Sequence, residues 1–270
     1  MLRSLRSIAV VEFRDYKRYV SDADWARTYS AYQKKYVTNP RESDKKSARL
    51  VLAALRDMPW LQRPPRILDI GCSTGNFLRH LRQLVPDAHL VGGDLMAPIV
   101  QECREDPELA GITFQIMDVF DIPTSLPFDV IVANAVTYLF EPGEFEQVSA
   151  SFAKAVNPGG AYIGYELIFP GNREKRVIEK SQGHPEGLKM ILRAEDFVRA
   201  TLAAAGFDDI EVQPFDIPID LPKPDPTGTD ADLITYTVRD AVTGRRLMYR
   251  GDLFQPWAHI VARKARDRDP

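Results

Sequence analysis

Residues 67–77 read Ile-Leu-Asp-Ile-Gly-Cys-Ser-Thr-Gly-Asn-Phe, an apolar run that ends in a turn of small residues and opens into a helical pattern. Glycine at 71 and 75 lets backbone N–H groups come close to a ligand with no Cβ in the way. The helix that follows adds unpaired N–H groups and the positive end of its dipole. At the carboxyl edge of a parallel sheet, such a turn suits a nucleotide-like ligand. The diphosphate motifs fit poorly. Counted from Gly71, the second and third positions of G-x-G-x-x-G are Ser73 and Asn76. No Gly-Lys-Ser/Thr follows a four-residue gap, so Walker A is excluded as well. Asp69 precedes the turn, and two later acids end apolar runs: Asp94 in GGDLM and Asp118 in IMDVF. Cys72 has no basic neighbour to lower its pKa and reads as a small residue rather than a nucleophile.

The run Asp69-Ile-Gly71-Cys72-Ser73-Thr-Gly75 resembles motif I of the class I S-adenosylmethionine-dependent methyltransferases of small-molecule type, with Ser73 where a central glycine is common. Asp94 lies 25 residues after Asp69, where the family places an acid at the end of its second strand. A carboxylate there can accept hydrogen bonds from both hydroxyls of one ribose. Asp118 matches the acid near the adenine, with the Val119 backbone beside it. FDVIVANAVTYLF (128–140) resembles the segment lining the methionine end, and Asn157-Pro158-Gly159-Gly160 before a strand is a further family feature. The resemblance covers roughly residues 40 to 215. It implies S-adenosyl-L-methionine as cofactor, held by Asp69, Gly71, Cys72, Ser73, Gly75, Asp94, Leu95, Asp118, Val119 and Asn134.

On the acceptor side the family resemblance singles out Tyr138 and His184. His184 lies in SQGHPEGLK, after the fifth strand, and has the intrinsic pKa of a general base. A surface-loop histidine is the plainer reading of the same residue. Glu166 is another polar candidate near the carboxyl edge, and it reads equally as a strand residue satisfied by its neighbours. His80 and His89 fall on the wrong side of the sheet, and His259 belongs to the terminal strand. The Asx-Pro-Pro-Tyr motif of base- and amide-directed relatives is replaced by Asn134-Ala135-Val136-Thr137, which disfavours that chemistry. A small-molecule hydroxyl or amino acceptor is what the resemblance implies. A non-catalytic binding or scaffold protein and an NAD(P)-dependent oxidoreductase stand as alternatives.

The elements that must position these residues alternate. RILDI (66–70), HLVGG (89–93), ITFQIM (112–117), FDVIVAN (128–134) and AYIGYELIF (161–169) are strand-like, with helical runs between them. That alternation predicts a Rossmann-like parallel sheet with helices on both faces. The family sheet has seven strands, the last antiparallel, which assigns AHIVAR (258–263) as the last and DIEVQPF as the one before. Residues 171–193 are polar and carry no clear period. RAEDFVRATLAAA (193–205) reads as a helix stopped by Gly206, and LITYTVRDAVTGRRLMYR as a β-hairpin around Thr243-Gly244.

Before the sheet, Trp25, Tyr29, Tyr32 and Tyr36 share a helical face, and Asp44 to Leu61 forms a second helical run. The division expected is a helical lid over residues 1–62 and a methyltransferase domain over 63–270, with insertions at about 171–193 and 217–252. The chain has 270 residues, 44% hydrophobic and 27% charged, a composition ordinary for a globular protein. No apolar run approaches the ~18 to 20 residues of a membrane helix. A net charge of −3 lacks the basic footprint of a nucleic-acid binder. Two isolated cysteines match neither a zinc site nor a secreted disulfide scaffold, and the short apolar stretch Ile8–Val11 is no signal-peptide core, so the chain reads as cytoplasmic. The hairpin insertion could serve a homodimer contact or cover an edge strand.

Overall fold

A computed structural model describes residues 30–31, 33–180, 187–225 and 234–266. The strands are β1 (Arg66–Ile70), β2 (His89–Asp94), β3 (Thr113–Ile116), β4 (Phe128–Asn134), β5 (Val156–Phe169), β6 (Lys175–Glu179), β7 (Leu188–Ala194), β8 (Asp209–Pro214), β9 (Thr235–Arg239), β10 (Arg246–Arg250), β11 (Leu253–Phe254) and β12 (Trp257–Arg263). The α-helices are α1 (Glu42–Arg56), α2 (Asn76–Leu84), α3 (Ala97–Glu105), α4 (Pro142–Ala155) and α5 (Glu195–Ala205).

The main sheet runs β3-β2-β1-β4-β5-β12-β8. Strands β1 to β5 pair in parallel. β12 lies antiparallel between β5 and β8. This is the seven-stranded frame expected from the sequence, with AHIVAR inserted last. The strand order reverses between β1 and β4, and the carboxyl edge there is the place where open α/β sheets take ligands.

Both faces of the sheet are covered, which is why its strands are almost continuously apolar. Ile67, Val130, Val132 and Ile163 face Val51 of α1, Leu78 of α2 and Val100 of α3. Leu68, Ile131, Tyr162 and Ile260 face Phe145 and Phe152 of α4 and Val198 and Leu202 of α5. Each such side chain contributes roughly 1.5–3 kcal/mol when withdrawn from water. Local signals set the helix ends. α4 starts with Pro142 behind a reciprocal Glu141/Glu144 capping box, and α5 stops at Gly206 with φ of 110°.

The structure corrects the sequence reading at several places. α1 ends at Arg56 rather than Leu61. Pro59 has no N–H to continue the helix and restricts Met58 before it. The described parts of 171–193 are not irregular. β6 and β7 form an antiparallel hairpin, and the end of β7 continues the sheet by pairing in parallel with β5 at Ile168 and Phe169. Arg193 therefore lies in a strand instead of starting a helix. The hairpin after residue 217 gains a third strand, β11, to make a small separate sheet. No helix among the described residues is long and apolar enough to cross a membrane.

Candidate functional site

The glycine turn leaves β1 in a sequence of left-handed residues: Gly71 at φ 72°, Ser73 at 49° and Gly75 at 73°. The N–H groups of Gly71 and Cys72 both donate to the Gly93 carbonyl, at 2.7 and 3.1 Å, which ties the turn to the end of β2. The missing side chains are needed for packing as well as for approach. A Cβ on Gly71 would lie 2.5 Å from Val136 Cγ2, and one on Gly75 would lie 2.9 Å from Leu109 Cδ1. Ser73 holds the strained conformation without the freedom of glycine.

Asp94, at the end of β2, closes this turn. Its Oδ2 accepts the Ser73 N–H at 2.8 Å and its Oδ1 accepts the Met96 N–H at 2.9 Å. Burial raises its pKa against the lowering effect of these N–H groups. Asp69 is also buried, and burial together with the nearby carboxylates of Asp44 and Asp94 pushes its pKa well up. The Cys72 thiol is likewise pushed up by burial, in keeping with a small inert residue. Three polar atoms around the turn, Ser73 Oγ, Thr74 Oγ1 and Asn134 Nδ2, are buried with no hydrogen-bond partner. Leu95 follows Asp94 half-buried. Beyond β3, Asp118 Oδ1 accepts the Phe120 N–H at 3.1 Å, and Val119 is buried.

The turn after β4 completes the edge. Asn134 Oδ1 accepts a hydrogen bond from Ser47 of α1 at 2.8 Å. Ala135 takes a left-handed φ of 56°, and its N–H donates to the Tyr165 carbonyl at 2.8 Å. Tyr138 sits edge-on to Trp257, ring centroids 6.0 Å apart. His184 lies outside the described residues, as do Trp25, Tyr29 and Tyr32 of the aromatic stripe. In the part of the N-terminal segment that is described, Ser30 Oγ donates to Glu102 of α3 at 2.7 Å, and the Gln33 carbonyl accepts from Asn76, the first residue of α2, at 2.8 Å.

Three residues near this edge escape a sequence reading. His259 is fully buried, 4.7 Å from the Tyr165 ring and 5.3 Å from that of Phe215, and burial lowers its pKa to about 4. Asp44 reaches Asp69 electrostatically from α1. Arg193, at the end of β7, donates to two carbonyls of the post-β4 turn. None has a local pattern, since each acquires its neighbours from a distant part of the chain.

A model of a methyltransferase domain matches residues 67–160. A malonyl-(acyl-carrier protein) O-methyltransferase from Magnetococcus marinus is 31% identical over 160 residues, covering 58% of this chain and 56% of that protein. A trans-aconitate 2-methyltransferase from Methylobacterium nodulans is 28% identical over 128 residues, 46% of this chain and 47% of its own length. The chain thus spans about half the length of these curated relatives. Among solved structures, magnesium protoporphyrin IX methyltransferase from Synechocystis, with bound S-adenosylmethionine, has a TM-score of 0.57 at 13% identity, covering 94% of this chain and 99% of that one. Human N-acetylserotonin methyltransferase has a TM-score of 0.55 at 16% identity, covering 92% of this chain and 57% of that one. Residues 67–160 match a methyltransferase domain, and the chain shares the fold of S-adenosylmethionine-dependent methyltransferases.

Proposed function

We propose that the chain is an S-adenosylmethionine-dependent methyltransferase that methylates a hydroxyl or amino group of a small molecule. The observation that carries this reading is Asp94, whose carboxylate is held beside the glycine turn by the N–H groups of Ser73 and Met96. Each of its oxygens accepts one of these bonds and keeps a further lone pair, which suits the two hydroxyls of a ribose. The residues around it fit the rest of the cofactor. Asp69, Gly71, Cys72, Ser73 and Gly75 form the turn, Leu95 follows Asp94, Asp118 and Val119 would meet the adenine, and Asn134 the methionine end. The unpartnered Ser73 Oγ, Thr74 Oγ1 and Asn134 Nδ2 supply buried polar capacity that a polar ligand would satisfy.

When bound, the cofactor supplies a methyl group already activated on a sulfonium. The chain's task is to bind, orient and exclude water, worth on the order of 7 to 11 kcal/mol in favourable cases. The segment up to residue 62 would act as the lid, with Ser30 and Gln33 docked on α3 and α2. Tyr138 and His184 are the proposed acceptor-side residues. The relatives' names span malonyl-(acyl-carrier protein), trans-aconitate and demethylmenaquinone, which supports a small or carrier-borne acceptor.

The test is a calorimetric titration with S-adenosylhomocysteine. Asp94→Ala should bind at least about tenfold more weakly than wild type, a loss of about 1.4 kcal/mol. Unchanged affinity in a folded variant would remove the ribose assignment.

A further inference from the structure

Two buried side chains of opposite charge type hold the turn that follows β4, each through Thr137. Glu166 of β5 is 2% exposed and Arg193 of β7 is 1% exposed. Glu166 Oε1 accepts the N–H groups of Val136 at 3.3 Å and Thr137 at 2.9 Å. Arg193 Nη2 donates to the carbonyls of Thr137 at 2.8 Å and Phe140 at 2.6 Å, while its guanidinium lies over the Phe145 ring at 4.4 Å. One side chain thus takes the donors at the start of the turn and the other takes the acceptors through to its end. The turn in its grip packs Val136 into the space a Cβ on Gly71 would need. It also follows directly on Asn134 and the left-handed Ala135.

The grip is only partly satisfied. Glu166 Oε2, Arg193 Nε and Nη1, and the Tyr162 hydroxyl are buried without partners. In a low-dielectric setting, a network in that state responds strongly to the loss of one charge. We infer that Glu166 and Arg193 are positioning residues for the cofactor pocket, holding the 136–140 turn against the glycine turn, and that neutralising Glu166 loosens both. The inference rests on reading the glycine turn as the cofactor site.

The charged and titratable neighbours agree with it. Burial raises the Glu166 pKa to about 7, with Arg193 the largest opposing influence. Tyr162 of β5 faces the pair, and Glu174 and the α4 cap Glu141 add negative charge around Arg193. Glu166 is therefore half-charged near neutrality. At about pH 6 roughly one tenth of the molecules would carry the charge, so apparent affinity for a ligand that needs it falls about tenfold.

The experiment has two arms, each on the full chain with wild type and Glu166→Gln, at about pH 6 and about pH 8. Glutamine keeps a carbonyl acceptor for Thr137, removes the charge and places an NH2 donor at the second, unpartnered oxygen position. The first arm is calorimetry with S-adenosylhomocysteine. Wild type should bind about tenfold more weakly at the lower pH, and Glu166→Gln should stay near that weaker value at both. The second arm is hydrogen exchange of residues 135–141 without ligand, corrected for intrinsic rates. Exchange should quicken in wild type at the lower pH and in the variant at both. Wild-type affinity and protection in Glu166→Gln, or no pH dependence of either in wild type, overturns the inference. Absence of binding by wild type at any pH contradicts the cofactor reading instead, and the exchange arm then decides the clamp alone. If the variant does not fold, wild-type exchange at the two pH values decides it.

Discussion

His259 and Glu166 contribute to the pH dependence of stability in opposite directions. His259 is buried among Tyr165 and Phe215 with its pKa lowered to about 4, below the ~6.5 of an unfolded histidine. Protons therefore prefer the unfolded chain, and this contribution is lost as pH falls from ~6.5 toward 4. Glu166 is raised to about 7, so the folded state keeps a proton that the unfolded chain releases near ~4.5. Its contribution is lost as pH rises through that window. Between about pH 5 and 6 these two slopes oppose each other, and comparison with a substituted protein isolates one of them. Relative to His259→Phe, wild type should lose about 1 kcal/mol per pH unit on acidification through that range, measured by urea unfolding. Parallel curves for the two proteins would show that His259 does not stay neutral in the fold. Neither behaviour is legible in the sequence. A histidine in a terminal strand and a glutamate in an apolar run declare nothing until α1 and β7 are packed against them.

At the scale of elements, the strand–turn–helix at 66–84 was readable because its signals are local: an apolar run, small residues and a helical period. The cause of its glycines was less so. Gly71 has a left-handed φ of 72° and its empty side is filled by Val136 from the other side of β1. Gly71→Ala should cost about 2 kcal/mol, combining a left-handed alanine with a steric clash. Adding Val136→Ala should recover part of that loss in thermal melts by removing the clash, leaving the backbone cost of about 1 kcal/mol. Strict additivity of the two substitutions would mean that the turns do not touch. The β6–β7 hairpin went unread for a different reason. β6 is an exposed edge strand carrying Lys175, Arg176 and Glu179, and charge on an edge strand hides its period. Arg193 looked like a helix residue because its two carbonyl partners lie more than 50 positions earlier.

For the whole molecule, the parallel sheet with helices on both faces followed from the alternation of strands and helical runs, and the antiparallel β12 from the family resemblance. The core's two faces, divided between the α1–α3 and α4–α5 layers, bring Asp69, Asp94, Asp118 and Asn134 to one carboxyl edge. The acids were legible because each lies at or just beyond the end of an apolar run. Their neighbours Ser47, Asp44 and Arg193 were not, because they arrive from other elements, and Glu166 was legible only as a polar candidate without its partners. The measurement that tests most directly what that edge binds is parallel calorimetric titration of the purified protein with S-adenosylhomocysteine, NADH and NADPH. Micromolar binding of S-adenosylhomocysteine alone is the result expected. Binding of a nicotinamide cofactor in its place would contradict the account at the glycine turn itself.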